Sequence, residues 1–111
     1  MTFKELKDIC NKVSGRLYVK DSRYTDEVFF YYCRLPDEDN EKQEVWLNID
    51  SYDEKTIIHE TAKEIVMNLS DKHNDVSCAK DDDIVQVLYT DTLVDIIRYE
   101  IKDDNIYLYT E

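Results

Sequence analysis

Residues 80–97 read KDDDIVQVLYTDTLVDII, and the fold turns on whether they form a helix or strands. Val85, Leu88, Tyr89, Leu93, Ile96 and Ile97 recur at the three- and four-residue steps of a helix face. Val85, Val87 and Tyr89 also alternate, as one face of a strand does. Thr90, Asp91 and Thr92 suit a helix interior poorly, because short polar side chains compete for backbone hydrogen bonds. The spacing favours one helix from about Asp82 to Arg98. The other reading is a strand at 84–90 followed by a short helix capped by Thr92. Downstream, YEIKDDNIYLYT at 99–110 reads as a turn at 102–105 and a strand at 106–110.

Upstream, Ser51-x-x-Glu54 is a capping box that opens a helix. Ile58, Ala62, Ile65, Val66 and Leu69 form its buried stripe, and it ends near Ser70. The polar run from Asp71 to Asp83 is a linker. EVWLNID at 44–50 alternates cleanly, and RLYVK at 16–20 reads as a strand. EVFFYYCRL at 27–35 is apolar in both phases, as a central strand covered on both sides is, and Pro36 stops it. The strands at 27–35 and 44–50 pair as an antiparallel hairpin around an acidic loop. At the start, Thr2 and Glu5 cap a helix of about 12 residues carrying Phe3, Leu6, Cys10 and Val13 inward, with Gly15 as a left-handed terminator. The expected fold class is therefore α+β: an N-terminal helix, a three-stranded antiparallel sheet, then helices and a C-terminal strand, with a single layer of helices on the sheet. Its 111 residues suit one domain spanning 1–111.

The formal net charge is −12, and 36% of residues are charged. Residues 1–36 hold seven bases and five acids, whereas residues 37–111 hold seven bases and twenty-one acids. Such a field repels nucleic acid and anionic lipid and attracts basic surfaces. The apolar fraction of 42% is enough for a core. Cys10, Cys33 and Cys78 are too few and too scattered for a disulfide framework. No apolar run has membrane-spanning length and the first residues carry no signal-peptide pattern, so a cytoplasmic location is expected.

Catalytic chemistry finds little footing. One glycine excludes phosphate-cradling glycine loops. His59-Glu60 lacks the second histidine of a zinc-protease helix, since position 63 is Lys63. Asp37, Asp39 and Glu41 imitate the start of a calcium loop, but Lys42 and Asn48 stand where glycine and glutamate are needed. Adjacent Asp81–Asp83 point different ways on a helix, where its dipole explains them better than a metal does. Cys78 is the one thiol in an exposed setting, and its acidic surroundings raise a thiol pKa. Pro36-Asp37 and Glu100-x-Lys102 echo a metal-dependent nuclease signature, but they lie far apart on an anionic chain. Neither an enzymatic role nor any metal or cofactor is expected.

The acids remain as a surface. Carboxylates four apart on a helix, such as Asp91 and Asp95, lie about 6 Å apart. Neighbouring phosphates of one DNA strand are spaced comparably. The length, net charge, scarcity of Gly and Pro, and runs such as DEDNEKQE and KDDD resemble small acidic DNA-mimic inhibitors, including phage-encoded anti-CRISPR and anti-restriction proteins. The resemblance implies an inhibitor that occupies the cationic nucleic-acid groove of a nucleic-acid-processing protein. Its partner would be a basic nucleic-acid-binding protein, with no direct binding to nucleic acid or membrane. The expected binding face comprises Asp81, Asp82, Asp83, Asp91 and Asp95, with Asp37, Glu38 and Asp39 from the hairpin loop. The competing expectation is an immunity or other interaction module that neutralises a basic toxin.

Overall fold

A computed structural model describes residues 1–39, 41–49, 60–71 and 79–111. In chain order the elements are α1 (Phe3–Cys10), β1 (Leu17–Lys20), β2 (Thr25–Glu27), β3 (Phe30–Arg34), β4 (Glu44–Asn48), α2 (Ala62–Ser70), β5 (Ile84–Tyr89), β6 (Thr92–Asp95), β7 (Arg98–Lys102) and β8 (Asn105–Tyr109). They build two four-stranded sheets, ordered β3-β4-β5-β6 and β2-β1-β8-β7. Each sheet is two antiparallel hairpins fused by a parallel seam: β4 with β5 in the first, β1 with β8 in the second. The expected single three-stranded antiparallel sheet under one layer of helices is thus overturned.

Strict alternation on the four seam strands explains the architecture. Val45 and Leu47 on β4, Val85 and Val87 on β5, Leu17 and Val19 on β1, and Ile106 and Leu108 on β8 are all buried. With Phe3, Leu6, Ile9 and Cys10 of α1 and Ala62, Ile65, Val66 and Leu69 of α2, they form one continuous apolar cluster. Burial pushes the Cys10 thiol up to about 12, so it stays protonated and packs as a small apolar group. Because β4 and β5 run parallel, no tight turn can join them, and α2 lies in the crossover.

The decisive stretch is strand, not helix. The helix expected over 82–98 is replaced by β5, β6 and the start of β7. Its run of β-branched residues favours a pleated surface. Tyr89 pairs with Thr92 across a two-residue turn, with Thr90 at φ 48°. The strand reading at 84–90 describes β5; the short helix after Thr92 is β6 instead.

EVFFYYCRL is likewise not one central strand. It is divided between β2 and β3, an edge strand of each sheet, with Val28 buried between them. Phe30 is 54% exposed, whereas Tyr31 and Cys33 pack inward against the core. The Ser51–Glu54 capping box, Ile58 and His59 lie outside the described residues. The described helix carrying the expected stripe opens later, with a complete capping box between Thr61 and Glu64. Two expectations hold closely: the hairpin of β3 and β4, and a turn preceding a strand at the end of the chain.

The first helix ends at Cys10, capped by Asn11, short of the expected 12 residues. Gly15 does not have the left-handed conformation expected of it. Its backbone is locked on both sides: Gly15 N–H donates to the Asp104 carbonyl at 2.9 Å, and its own carbonyl accepts from Ala62 N–H at 2.9 Å. A Cβ there would sit 2.2 Å from the Asp104 carbonyl oxygen and 2.1 Å from Asn105 Oδ1. Glycine is needed because α2, the β7–β8 turn and the chain entering β1 converge on one point.

Two substitutions test these backbone constraints. Gly15→Ala should destabilise by about 2–3 kcal/mol, since main chain must move to admit one methyl. Thr90→Gly should stabilise by roughly 1 kcal/mol, because a β-branched residue is strained at positive φ. The urea midpoint, read by far-ultraviolet circular dichroism, checks both.

Candidate functional site

The register of the first sheet decides which acids meet. Arg34 pairs with Glu44 on β4, and Glu44 with Ile84 on β5, so these three residues mark one end of the sheet. The β3–β4 loop leaves from this end, and the segment Lys80–Asp83 enters β5 at the same end. The parallel seam therefore brings Asp37, Glu38 and Asp39 together with Asp81, Asp82 and Asp83. A hollow of about 610 Å³ lies between the segments, lined in part by Leu35, Pro36, Glu41, Lys42, Asp82 and Ile84.

The same register excludes Asp91. It sits in the β5–β6 turn, five residues along β5 from this end, or about 17 Å at 3.3 Å per residue. Asp95 lies between, opposite Gln86, whose Nε2 donates to it at 3.0 Å. The eight expected residues are thus not one face: six gather at one end and two lie further along the sheet.

Within the gathered six the roles differ. Asp83 is 7% exposed and is structural. Its carboxylate accepts from Gln43 Nε2 at 2.6 Å and from Lys80 N–H at 2.8 Å. Its carbonyl accepts from Phe3 N–H at 2.8 Å, and the Asp81 carbonyl accepts from Lys4 N–H at 3.1 Å. The Asp81 and Asp83 carbonyls therefore satisfy first-turn donors of α1, beside which a helix dipole favours negative charge. The acids belong to a helix N-terminus, though not to the helix that the sequence suggested.

Asp81 also reaches Lys7 Nζ at 2.8 Å, and that ammonium holds its carboxyl below the usual range. Asp37 pairs with Arg34 and accepts from Asp39 N–H at 2.9 Å, which shapes the loop. Glu38, Asp39, Glu41 and Asp82 make no ion pair among the described residues. These four are the acids most available to a partner; Glu41 and Asp82 line the hollow, and Glu38 and Asp39 lie in the β3–β4 loop beside it. Among the described residues no three His, Cys, Asp or Glu side chains group to hold a metal. His73 and Cys78 lie outside the described residues.

Sequence reasoning missed the aromatic face beside these acids. Phe30 and Tyr32 point outward from β3, and Trp46 points outward from β4 beside Tyr32. Ring centroids lie 5.7 Å apart for Phe30–Tyr32 and 5.6 Å for Tyr32–Trp46. Arg34 stands over the Trp46 ring at 5.5 Å, and Trp46 Nε1 donates to Glu44 at 2.9 Å. Exposed Leu35 and Ile84 continue the patch to the acidic end. The available signal was Trp46, which occupies the polar phase of EVWLN with Glu44 and Asn48. An aromatic in that phase faces away from the core.

On the opposite face of β3, Tyr31 donates to Glu60 at 2.6 Å, and Asn68 Nδ2 donates to both. Burial, then the Glu60 bond, pushes the Tyr31 phenol up to about 12. This triad ties the edge strand carrying the aromatic ladder to α2.

The division between structural and available acids is measurable. Asp83→Ala should cost about 2 kcal/mol by stranding Lys80 N–H and the Gln43 amide. Asp82→Ala should stay within about 0.5 kcal/mol of the parent. Thermal unfolding of the two variants distinguishes them.

No family model, no curated protein and no solved structure matches this chain, so its function is read from its own residues.

Proposed function

We propose that this chain is a non-catalytic binding protein that inhibits a nucleic-acid-processing protein by docking on its cationic groove. The observation that carries the reading is the convergence of Glu38, Asp39, Glu41 and Asp82 at one end of the first sheet, beside an outward aromatic ladder. The acids supply long-range attraction and the fast encounter that charge complementarity gives. Phe30, Tyr32 and Trp46 supply the dehydrated contact area in which binding energy concentrates. A class resemblance to phage-encoded DNA-mimic inhibitors, of the anti-CRISPR or anti-restriction kind, fits the charge. We place the protein in the cytoplasm, where thiols such as Cys10 and Cys33 stay reduced.

The aromatic face also favours a second reading. A pure mimic of nucleic acid needs only spaced charge, whereas an apolar centre with an acidic rim is the anatomy of a specific protein interface. Neutralisation of a basic toxin, as immunity proteins achieve, would use the same surface.

Affinity capture from bacterial lysate at low and moderate salt, read by mass spectrometry, tests the proposal. Nucleic-acid-binding proteins should be enriched, lost as salt rises, and displaced by added DNA or RNA. Replacing Glu38, Asp39, Glu41 and Asp82 together by their amides should weaken the captured complex about 30-fold, and each alone no more than about threefold. Trp46→Ala should cost 10-fold or more through faster dissociation. Capture of no nucleic-acid-binding protein sinks the inhibitor reading; a complex with a basic protein that survives excess DNA favours the toxin reading.

A further inference from the structure

The second sheet ends in an edge unlike its opposite one. β2 is three residues long and carries Asp26 and Glu27, which blunts it against further pairing. β7 is five residues long, pairs with β8 at five consecutive positions, and is exposed along its whole length. Ile97 is 61% exposed, Tyr99 45% and Ile101 42%.

The backbone of this edge points outward at defined residues. Ile106 N–H donates to the Arg16 carbonyl at 3.0 Å, on the β1 side of β8. Ile106 faces Ile101 across the β7–β8 ladder. In an antiparallel ladder, a residue turned away from its partner strand stands opposite one also turned away. Ile101 and Tyr99, two positions apart, therefore aim their N–H and C=O groups at the open side of β7.

We propose that β7 pairs antiparallel with β7 of a second copy, about a two-fold axis at Tyr99, joining two four-stranded sheets into one of eight. The sequence Ile97-Arg98-Tyr99-Glu100-Ile101 is self-complementary about its centre. Tyr99 meets Tyr99 and Arg98 meets Glu100; Ile97 comes level with Ile101 but adds no N–H to the ladder, because that N–H already donates to the Tyr109 carbonyl at 2.8 Å. Opposite charges fall on the outer face, and Tyr99 and Ile101, which stand opposite buried Leu108 and Ile106, on the inner one. An axis at Glu100 instead sets Glu100 against Glu100 and Arg98 against Lys102, which like-charge repulsion disfavours. An axis at Ile101 drives Tyr99 against the Asp103–Asp104 turn.

Two further features fit this occupant. The Arg98 guanidinium lies 3.6 Å from the Tyr109 ring centroid, and Tyr109 O–H donates to Glu100 at 2.8 Å. One side chain on β8 thus holds both charges in place before association, which lowers its entropic cost. At the start of β7, Met1, Glu5, Ile96, Ile97, Arg98 and Tyr99 line a hollow of about 360 Å³. It offers contact area that a strand pair alone lacks. The dimer surface lies on the sheet that does not carry the acidic end, so the two associations are independent.

Sedimentation equilibrium of the full chain from about 1 to 300 μM tests the dimer, with association expected in the micromolar range that a small interface supports. R98E and E100R should each weaken it 10-fold or more. The double variant R98E/E100R should recover it, and an equimolar mixture of the single variants should form a heterodimer. Tyr99→Pro should abolish pairing and keep the circular dichroism spectrum, because that N–H serves no bond within the chain. A parent that stays monomeric at 300 μM overturns the proposal. So does a dimer indifferent to Tyr99→Pro or to either single charge reversal, or one that the double reversal fails to restore.

Discussion

The parallel pairing of β4 with β5 is the constraint from which the candidate site follows. It fixes Glu44 beside Ile84, and so draws the loop after β3 and the segment before β5 to one end of a sheet. Antiparallel pairing would have sent them to opposite ends. It also demands a crossover, and α2 within that crossover helps cover the inward valines and leucines of the same two strands. Gly15 links this arrangement to the second sheet, since its carbonyl receives the first N–H of α2 while its own N–H holds the β7–β8 turn.

A chain of net charge −12 keeps this fold by separating its two chemistries. Among the described residues, twenty apolar ones are buried together and Asp83 is the only buried charged one. The surface ion pairs, such as Lys4–Asp8 at 3.6 Å, are exposed and contribute little, on the order of 0–1 kcal/mol each. Repulsion among the acids is tolerated where their carboxylates have partners: Gln43 and Lys80 N–H for Asp83, Lys7 for Asp81, and Arg34 for Asp37. What is left over at Glu38, Asp39, Glu41 and Asp82 is charge without an ion pair among the described residues.

Local patterns were legible in the sequence wherever one period dominated. EVWLNID could only be a half-buried strand, and the Ala62–Leu69 stripe could only be a helix face. Residues 84–97 were not legible, because their apolar positions satisfy both periods and no glycine marks the turn. Thr90 takes positive φ there against its own preference. The role of Asp83 was hidden for a different reason: its partner Gln43 is 40 residues away, brought near by the seam. The outward ladder of Phe30, Tyr32 and Trp46 was obscured because aromatics on both phases of β3 looked like burial on both faces. In fact β3 is an edge, with one phase turned to the core and the other to solvent.

The other parallel seam, between β1 and β8, joins Leu17 to Ile106. About 90 residues separate them, so a growing chain must wait on the order of 5–20 s at ordinary elongation rates before β1 meets its neighbour. Throughout that interval the Leu17 and Val19 side chains have no sheet to close over them. The first sheet, whose four strands are contiguous in order, can assemble on the ribosome while the second stands half made. Synthesis therefore leaves the β1–β2 hairpin as the segment that a chaperone would most need to shield.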